Sequence, residues 1–201
     1  SMLLNAIADQ ERAIVSDVPG TTRDALDTLI QRDDSRVLVI DTAGIRRRGK
    51  IEPGIERYSA LRSIRAIDRA DVAVLLIDAT ELATSQDSHI ASYILNAYKG
   101  IVLAVNKWDL AREAELTKPI AVEWIRARFR FVPYAPICFV SALRGTGIDV
   151  LMETARSVSD AWRRGLPRYD LRRTVLKAVA ENPPTASGRR SLKIFGVKQD
   201  E

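Results

Sequence analysis

Ile101-Val102-Leu103-Ala104-Val105-Asn106-Lys107-Trp108-Asp109 is the stretch on which the reading of this chain turns. Five apolar residues after Gly100 predict a buried strand, and four polar or amphipathic residues follow it directly. An Asp carboxylate just past a strand end can accept two parallel hydrogen bonds, from the ring N–H and the exocyclic amine of guanine. Adenine presents a lone pair where guanine has that N–H, so the carboxylate would be left unpaired. Leaving such a group unsatisfied costs about 1–3 kcal/mol, more when it is charged, and selectivity follows. The Asn106 amide and the aliphatic stem of Lys107 would brace the base. By itself the four-residue pattern is weak, because any strand can end in a polar loop.

Its neighbours give it weight. Val72–Asp78 predicts another buried strand, and Pro136–Val140 a further one running into Ser141-Ala142-Leu143. Arg36–Ile40 runs into Asp41-Thr42-Ala43-Gly44 and should pair antiparallel with Ala25–Gln31 across Asp33-Asp34-Ser35. Helices are expected over Glu56–Arg69, Ser85–Tyr98, Lys118–Phe131 and from Gly147 to about Arg164, with the tail of an apolar helix at Ser1–Ile7. Alternating strands and helices at this spacing predict an α/β fold, a mostly parallel sheet with helices on both faces. Ligands of such sheets bind beyond the carboxyl ends of the strands. Loops 41–44, 106–109 and 141–143 all follow strand ends and should converge on one edge. Chance matches would scatter.

Composition sets bounds. The 201 residues suffice for one sizeable core and a small second unit. Hydrophobic content of 46% with 28% charged residues is ordinary for a globular protein. The longest apolar runs are too short to span a bilayer, so no membrane partner is expected. The single cysteine, Cys138, permits no disulfide within the chain and sits in an apolar run; with no secretory signal, a cytoplasmic protein is expected. His89, the single histidine, has no second His or Cys nearby for a metal site. Net charge is +5, and from Gly165 to Glu201 eight basic residues face four acidic ones. That excess fits nucleic-acid contact or a solvated tail equally.

Past Pro167 the pattern changes. Tyr169–Asn182 predicts an amphipathic helix stopped by Pro183-Pro184, and Ser191–Lys198 alternates like a strand. One helix and one strand cannot bury a core alone. The expected division is therefore residues 1–165 and an incomplete α+β unit over 166–201.

Taken together, Pro19-Gly20-Thr21-Thr22-Arg23-Asp24, Asp41-Thr42-Ala43-Gly44, Asn106-Lys107-Trp108-Asp109 and Ser141-Ala142-Leu143 stand in the order and spacing of the translation-factor-like GTPases. Within them the chain resembles the bacterial ribosome-assembly GTPases of the Der (EngA) family, which carry two G domains and a KH-like domain. Ile45-Arg46-Arg47-Arg48-Gly49-Lys50 and Glu56-Arg57-Tyr58-Ser59 resemble the second G domain in particular, and residues 166–201 the start of the KH-like domain.

The resemblance implies a P-loop NTPase-type fold, GTP and GDP as ligands, Mg²⁺ as cofactor, and ribosomal RNA or the large ribosomal subunit as partner. Thr22 would be the switch threonine, on Mg²⁺ and near the γ-phosphate, with Thr21 the lesser candidate. Asp41 would hold Mg²⁺ through a water, and the Gly44 N–H would meet the γ-phosphate within the turn Asp41-Thr42-Ala43-Gly44-Ile45. Asn106 and Asp109 would hold guanine, flanked by Lys107 and Trp108, and the backbone of Ser141, Ala142 and Leu143 its oxygen.

Two departures stand out. Ile45 occupies the position where many GTPases carry a water-orienting Gln, so slow turnover, or reliance on another group or K⁺, is expected. Also, no Gly-x-x-x-x-Gly-Lys-Ser/Thr occurs in these residues. In the family this phosphate loop precedes Leu3-Leu4-Asn5-Ala6-Ile7; Ser1 is read as its last residue, the Mg²⁺-binding hydroxyl. The phosphate loop and the central strand before it are expected to be missing, so the chain reads as a fragment that binds GTP weakly and hydrolyses little alone. Two other readings stay open: a degenerate G domain acting as an RNA-binding module, and a tRNA-modifying GTPase, which shares the Gly-Thr-Thr-Arg-Asp pattern.

Overall fold

The computed structural model describes residues 2–10, 16–17, 26–32, 35–41, 64–183 and 194–199. Two units are distinct, Ser1–Trp162 and Arg163–Glu201. In the first, helix α1 (Met2–Gln10) precedes strands β1 (Ser16–Asp17), β2 (Leu26–Arg32) and β3 (Ser35–Asp41). Residues 64–69 are helical (α2). Strand β4 (Val72–Asp78), helix α3 (Ser85–Asn96), β5 (Gly100–Asn106), α4 (Lys118–Arg128), β6 (Ile137–Phe139) and α5 (Ile148–Arg163) follow.

Strand β5 shows why the chain folds this way. It lies between β4 and β6, parallel to both, and Ile101 to Val105 are all buried. A parallel strand buried on both faces must be apolar throughout, as this one is. Its residues sort by period two into two cores. Ile101, Leu103 and Val105 join Ala91 and Ile94 of α3 and Ile125 of α4 on one face. Val102 and Ala104 join Ala6 and Ile7 of α1, Ile30 of β2 and Ile148, Leu151 and Met152 of α5 on the other. Helices therefore cover both faces, as expected. Gly100 lets α5 come close, since a Cβ there would sit 2.8 Å from Val158 Cγ1.

The hairpin is present, with β2 antiparallel to β3 from Leu26↔Asp41 to Arg32↔Ser35. The two-residue β1, pairing with β2 at Ser16↔Leu29, is too short for any sequence period to reveal. Among the described strands β3 pairs only with β2, and β4 only with β5, so hydrogen bonding divides the strands into an antiparallel set and a parallel set. On β4, Val74 and Leu76 are 37% and 36% exposed, although their in-register partners Val102 and Ala104 are fully buried. An ion pair between Arg69 and Asp27 links α2 to β2.

Boundaries differ from expectation where capping decides them. Helix α3 stops at Asn96 because Tyr98 turns left-handed (φ 57°), its N–H donating to the Leu95 carbonyl. Helix α4 stops at Arg128, where the Phe129 amide still donates to Ile125 but Phe129 leaves helical geometry (φ −103°, ψ 44°). Of the helix expected over Glu56–Arg69, residues 56–63 lie outside the described residues.

At the head of α3, Thr84 and Asp87 form a capping box. The Asp87 N–H donates to Thr84 Oγ1 (3.3 Å), and Asp87 Oδ2 accepts from the Thr84 N–H (2.9 Å). Thr84→Ala should cost about 1 kcal/mol in urea unfolding, the usual loss on removing such a cap. An unchanged midpoint would mean the box carries no stability.

In the second unit, α6 (Arg168–Glu181) places Leu171, Val175 and Val179 on one half-buried stripe, while Leu176 and Ala180 are exposed. Residues 194–199 are not a strand, contrary to the reading of Ser191–Lys198; 191–193 lie outside the described residues. A strand needs a partner edge, and none is present in this unit among the described residues. Instead Gln199 clips the chain ahead of α6: its Oε1 accepts from the Leu166 N–H (2.9 Å) and its Nε2 donates to the Arg164 carbonyl (3.2 Å). Among the described residues no helix is long and apolar enough to cross a membrane.

Candidate guanine-binding site

Three strands end at one edge. Asp78 of β4 lies opposite Asn106 of β5, and the Ala79 N–H donates to the Asn106 carbonyl (2.9 Å). Beyond β5 the chain turns sharply at Lys107, whose φ of 61° is left-handed and sparsely populated by non-glycine residues. Trp108–Leu110 then form one 3₁₀ turn, and the Trp108 N–H donates to the Val140 carbonyl just past β6 (3.1 Å).

The 106–109 and 141–143 loops are fastened to each other by side chains. Asn106 Oδ1 accepts from the Ala142 N–H (3.0 Å). The Ser141 hydroxyl donates to Asp109 Oδ1 (2.5 Å) and accepts from the Arg144 N–H (3.1 Å). A carboxylate fixed through one oxygen by a hydroxyl keeps its orientation without a bound base. Asp109 is half-buried and borders an open cavity of about 400 Å³, lined also by Trp108, Arg112 and Leu116. The Trp108 ring packs on Phe139, centroids 4.4 Å apart, and the Lys118 ammonium lies over the other ring, 5.4 Å from the Phe139 centroid. These contacts set where the 3₁₀ turn sits.

Sequence reading passed over Asp78. It is 7% exposed, and its Oδ1 accepts from the Thr80 N–H (3.0 Å) and hydroxyl (2.7 Å) while Oδ2 meets the Lys107 ammonium (3.0 Å). Burial pushes its carboxyl up, but the Thr80 bonds and Lys107 outweigh that and hold it below the usual carboxylate range. The available signal was position: Asp78 ends an apolar strand, as Asn106 does.

Of the residues singled out from sequence, Asn106, Lys107, Trp108, Asp109, Ser141, Ala142 and Leu143 are brought together here. Asp41 is the last residue of β3. Ser1, Thr21, Thr22, Thr42, Ala43, Gly44 and Ile45 lie outside the described residues, so the convergence of loops is established for 106–109 and 141–143 alone.

A parallel sheet sandwiched by helices, with a strand-end Asn-Lys-Trp-Asp loop clasped by a Ser-Ala-Leu loop, is the architecture of P-loop-type G domains. The chain belongs to the 50S ribosome-binding GTPase family, whose model matches residues 1–107. It is 47% identical over 203 residues to GTPase Der of Thermomicrobium roseum, a match spanning 100% of this chain and 44% of that protein. It is 54% identical over 153 residues to GTPase Der of Chloroflexus aurantiacus, covering 76% of this chain and 34% of that one. This chain thus spans less than half the length of these relatives. Among solved structures it resembles Era in complex with MgGDPNP and nucleotides 1506–1542 of 16S ribosomal RNA, with TM-score 0.62 and 25% identity, over 83% of this chain and 54% of that one.

Proposed function

We propose that this chain supplies the guanine-recognising half of a GTPase acting in assembly of the large ribosomal subunit. The observation that carries this reading is the Asp109 carboxylate, held by Ser141 at the strand-end edge beside Asn106 and Ala142. Two acceptor oxygens on one carboxylate match the paired N–H donors of guanine and mismatch adenine. The family membership and the Der relatives favour ribosome assembly, and nothing in them favours tRNA modification.

Several roles rest on the resemblance. Residues 1–165 form the G domain and 166–201 the start of a KH-like unit. Mg²⁺, which would supply charge neutralisation at the phosphates, would be held by Ser1, Thr22 and Asp41. Ribosomal RNA would be met by the basic excess after Gly165, and the setting is cytoplasmic. Ile45 carries no group to orient water, so K⁺ is proposed to assist turnover; a hydrolysis rate indifferent to K⁺ would remove that element.

The base reading is tested by titrating the ¹⁵N-labelled chain with GDP and ADP. GDP should shift the amide resonances of Asn106, Asp109, Ser141 and Ala142, and ADP should leave them in place. Equal responses would refute guanine recognition. Association with ribosomal RNA should weaken steeply with salt, and a flat dependence would exclude phosphate contacts.

A further inference from the structure

We infer that Asp78 is a positioning residue of the base pocket, acting through Lys107; the inference rests on the guanine reading above and adds a residue to it. Three observations converge. Asp78 is buried at the end of β4, in register with Asn106, and so stands at the mouth of the crevice rather than in the core. Its two oxygens have separate tasks. Oδ1 closes the turn onto Thr80, and Oδ2 reaches the Lys107 ammonium at 3.0 Å. Lys107 itself sits at φ 61° and leaves about half its side chain exposed.

A non-glycine residue in that backbone region persists where its surroundings over-determine it, and such residues gather at ligand sites. Lys107 is held from two sides. Its carbonyl accepts the Leu110 N–H (2.9 Å) and its ammonium is drawn to β4. With the backbone fixed past β5 and the head fixed at β4, the four-carbon stem bridges the strand ends. An extended aliphatic stem with its charge tied off at the far end offers an apolar floor to a flat heterocycle. Untethered, the same side chain would sample many rotamers, and ordering it would oppose binding. Asp78 thus preorganises Lys107 without touching the base.

The test uses Asp78→Asn in the 201-residue chain, read two ways. The amide oxygen can still accept from Thr80, while the amide nitrogen cannot pair with an ammonium. First, with lysines ¹³C-dimethylated, the Lys107 methyl resonance, assigned by its loss in Lys107→Arg, should move toward the solvent-exposed lysines in Asp78→Asn. Second, GDP affinity from amide shifts should fall about fivefold, as expected of a half-exposed ion pair. Lys107→Met, which leaves the Asp78–Thr80 turn intact, should lose a similar factor and serves if Asp78→Asn folds poorly.

The double variant should lose no more than either single one. Additive losses would show that Asp78 acts on the strand and not through Lys107, overturning the inference. So would an unmoved Lys107 resonance or unchanged GDP affinity in Asp78→Asn. Should the unsubstituted chain fail to separate GDP from ADP, the guanine reading itself falls, an outcome recognisable before any variant is made.

Discussion

Asp109→Asn will weaken GDP binding by roughly 10²-fold and turn the preference of the site toward xanthine nucleotides. The carboxylate offers two acceptors to the two donors on the guanine edge, and hydrogen bonds to a charged group contribute about 1.5–3 kcal/mol each. Asparagine keeps one acceptor and replaces the other by a donor. Guanine's exocyclic amine then meets an N–H, while xanthine, with a carbonyl at that carbon, meets a partner. The substitution is close to isosteric, and Asn Oδ1 can still accept from the Ser141 hydroxyl, which now holds Asp109 at 2.5 Å. The fold should therefore be spared. Titrating variant and parent with GDP, XDP and ADP decides it. GDP binding as tight in Asp109→Asn as in the parent would place the base elsewhere, and the guanine reading would not survive.

The parts of the fold legible in the sequence were those governed by one strong local rule. Ile101 to Val105 announced a strand buried on both faces, and the structure divides these residues between two cores. The hairpin was legible because Asp33-Asp34-Ser35 separates two β-rich runs. Convergence of 106–109 with 141–143 followed from strand order, since parallel strands deliver their C-terminal loops to one edge. Three things were not legible. Asp78 read as an ordinary strand end because its importance lies in a contact with Lys107 across a crossover. The run Ser191–Lys198 alternates in polarity, yet residues 194–199 form no strand and, among the described residues, their unit offers no edge to pair with; alternation without a partner does not make a strand. The exposure of Val74 and Leu76 depends on what lies beside β4, which no local pattern reports.

A single methyl group at Gly147 should cost about 2–4 kcal/mol of stability in Gly147→Ala. Its φ of 76° is left-handed, which alone costs a non-glycine residue about 1 kcal/mol or more. A Cβ there would lie 2.3 Å from the Phe139 carbonyl oxygen and 3.4 Å from the Val140 Cα. Those are backbone atoms of β6 and its exit, so no flexible side chain can yield, and the strand itself must move. The Val140 carbonyl accepts the Trp108 N–H, and the next residue, Ser141, pairs with Thr146 across the turn and holds Asp109. Displacing β6 therefore loosens the pocket as well as the fold. Gly165→Ala is the control, since nothing lies within 4 Å of a Cβ at that position. Urea midpoints should fall well below the parent for Gly147→Ala and stay within about 0.5 kcal/mol of it for Gly165→Ala. In Gly147→Ala kept cold enough to remain folded, GDP affinity should also drop, because the Ser141 hydroxyl no longer meets Asp109 squarely. Equal midpoints for the two glycine variants would show that the turn at 141–147 has room for a side chain at position 147, and the steric argument would fall.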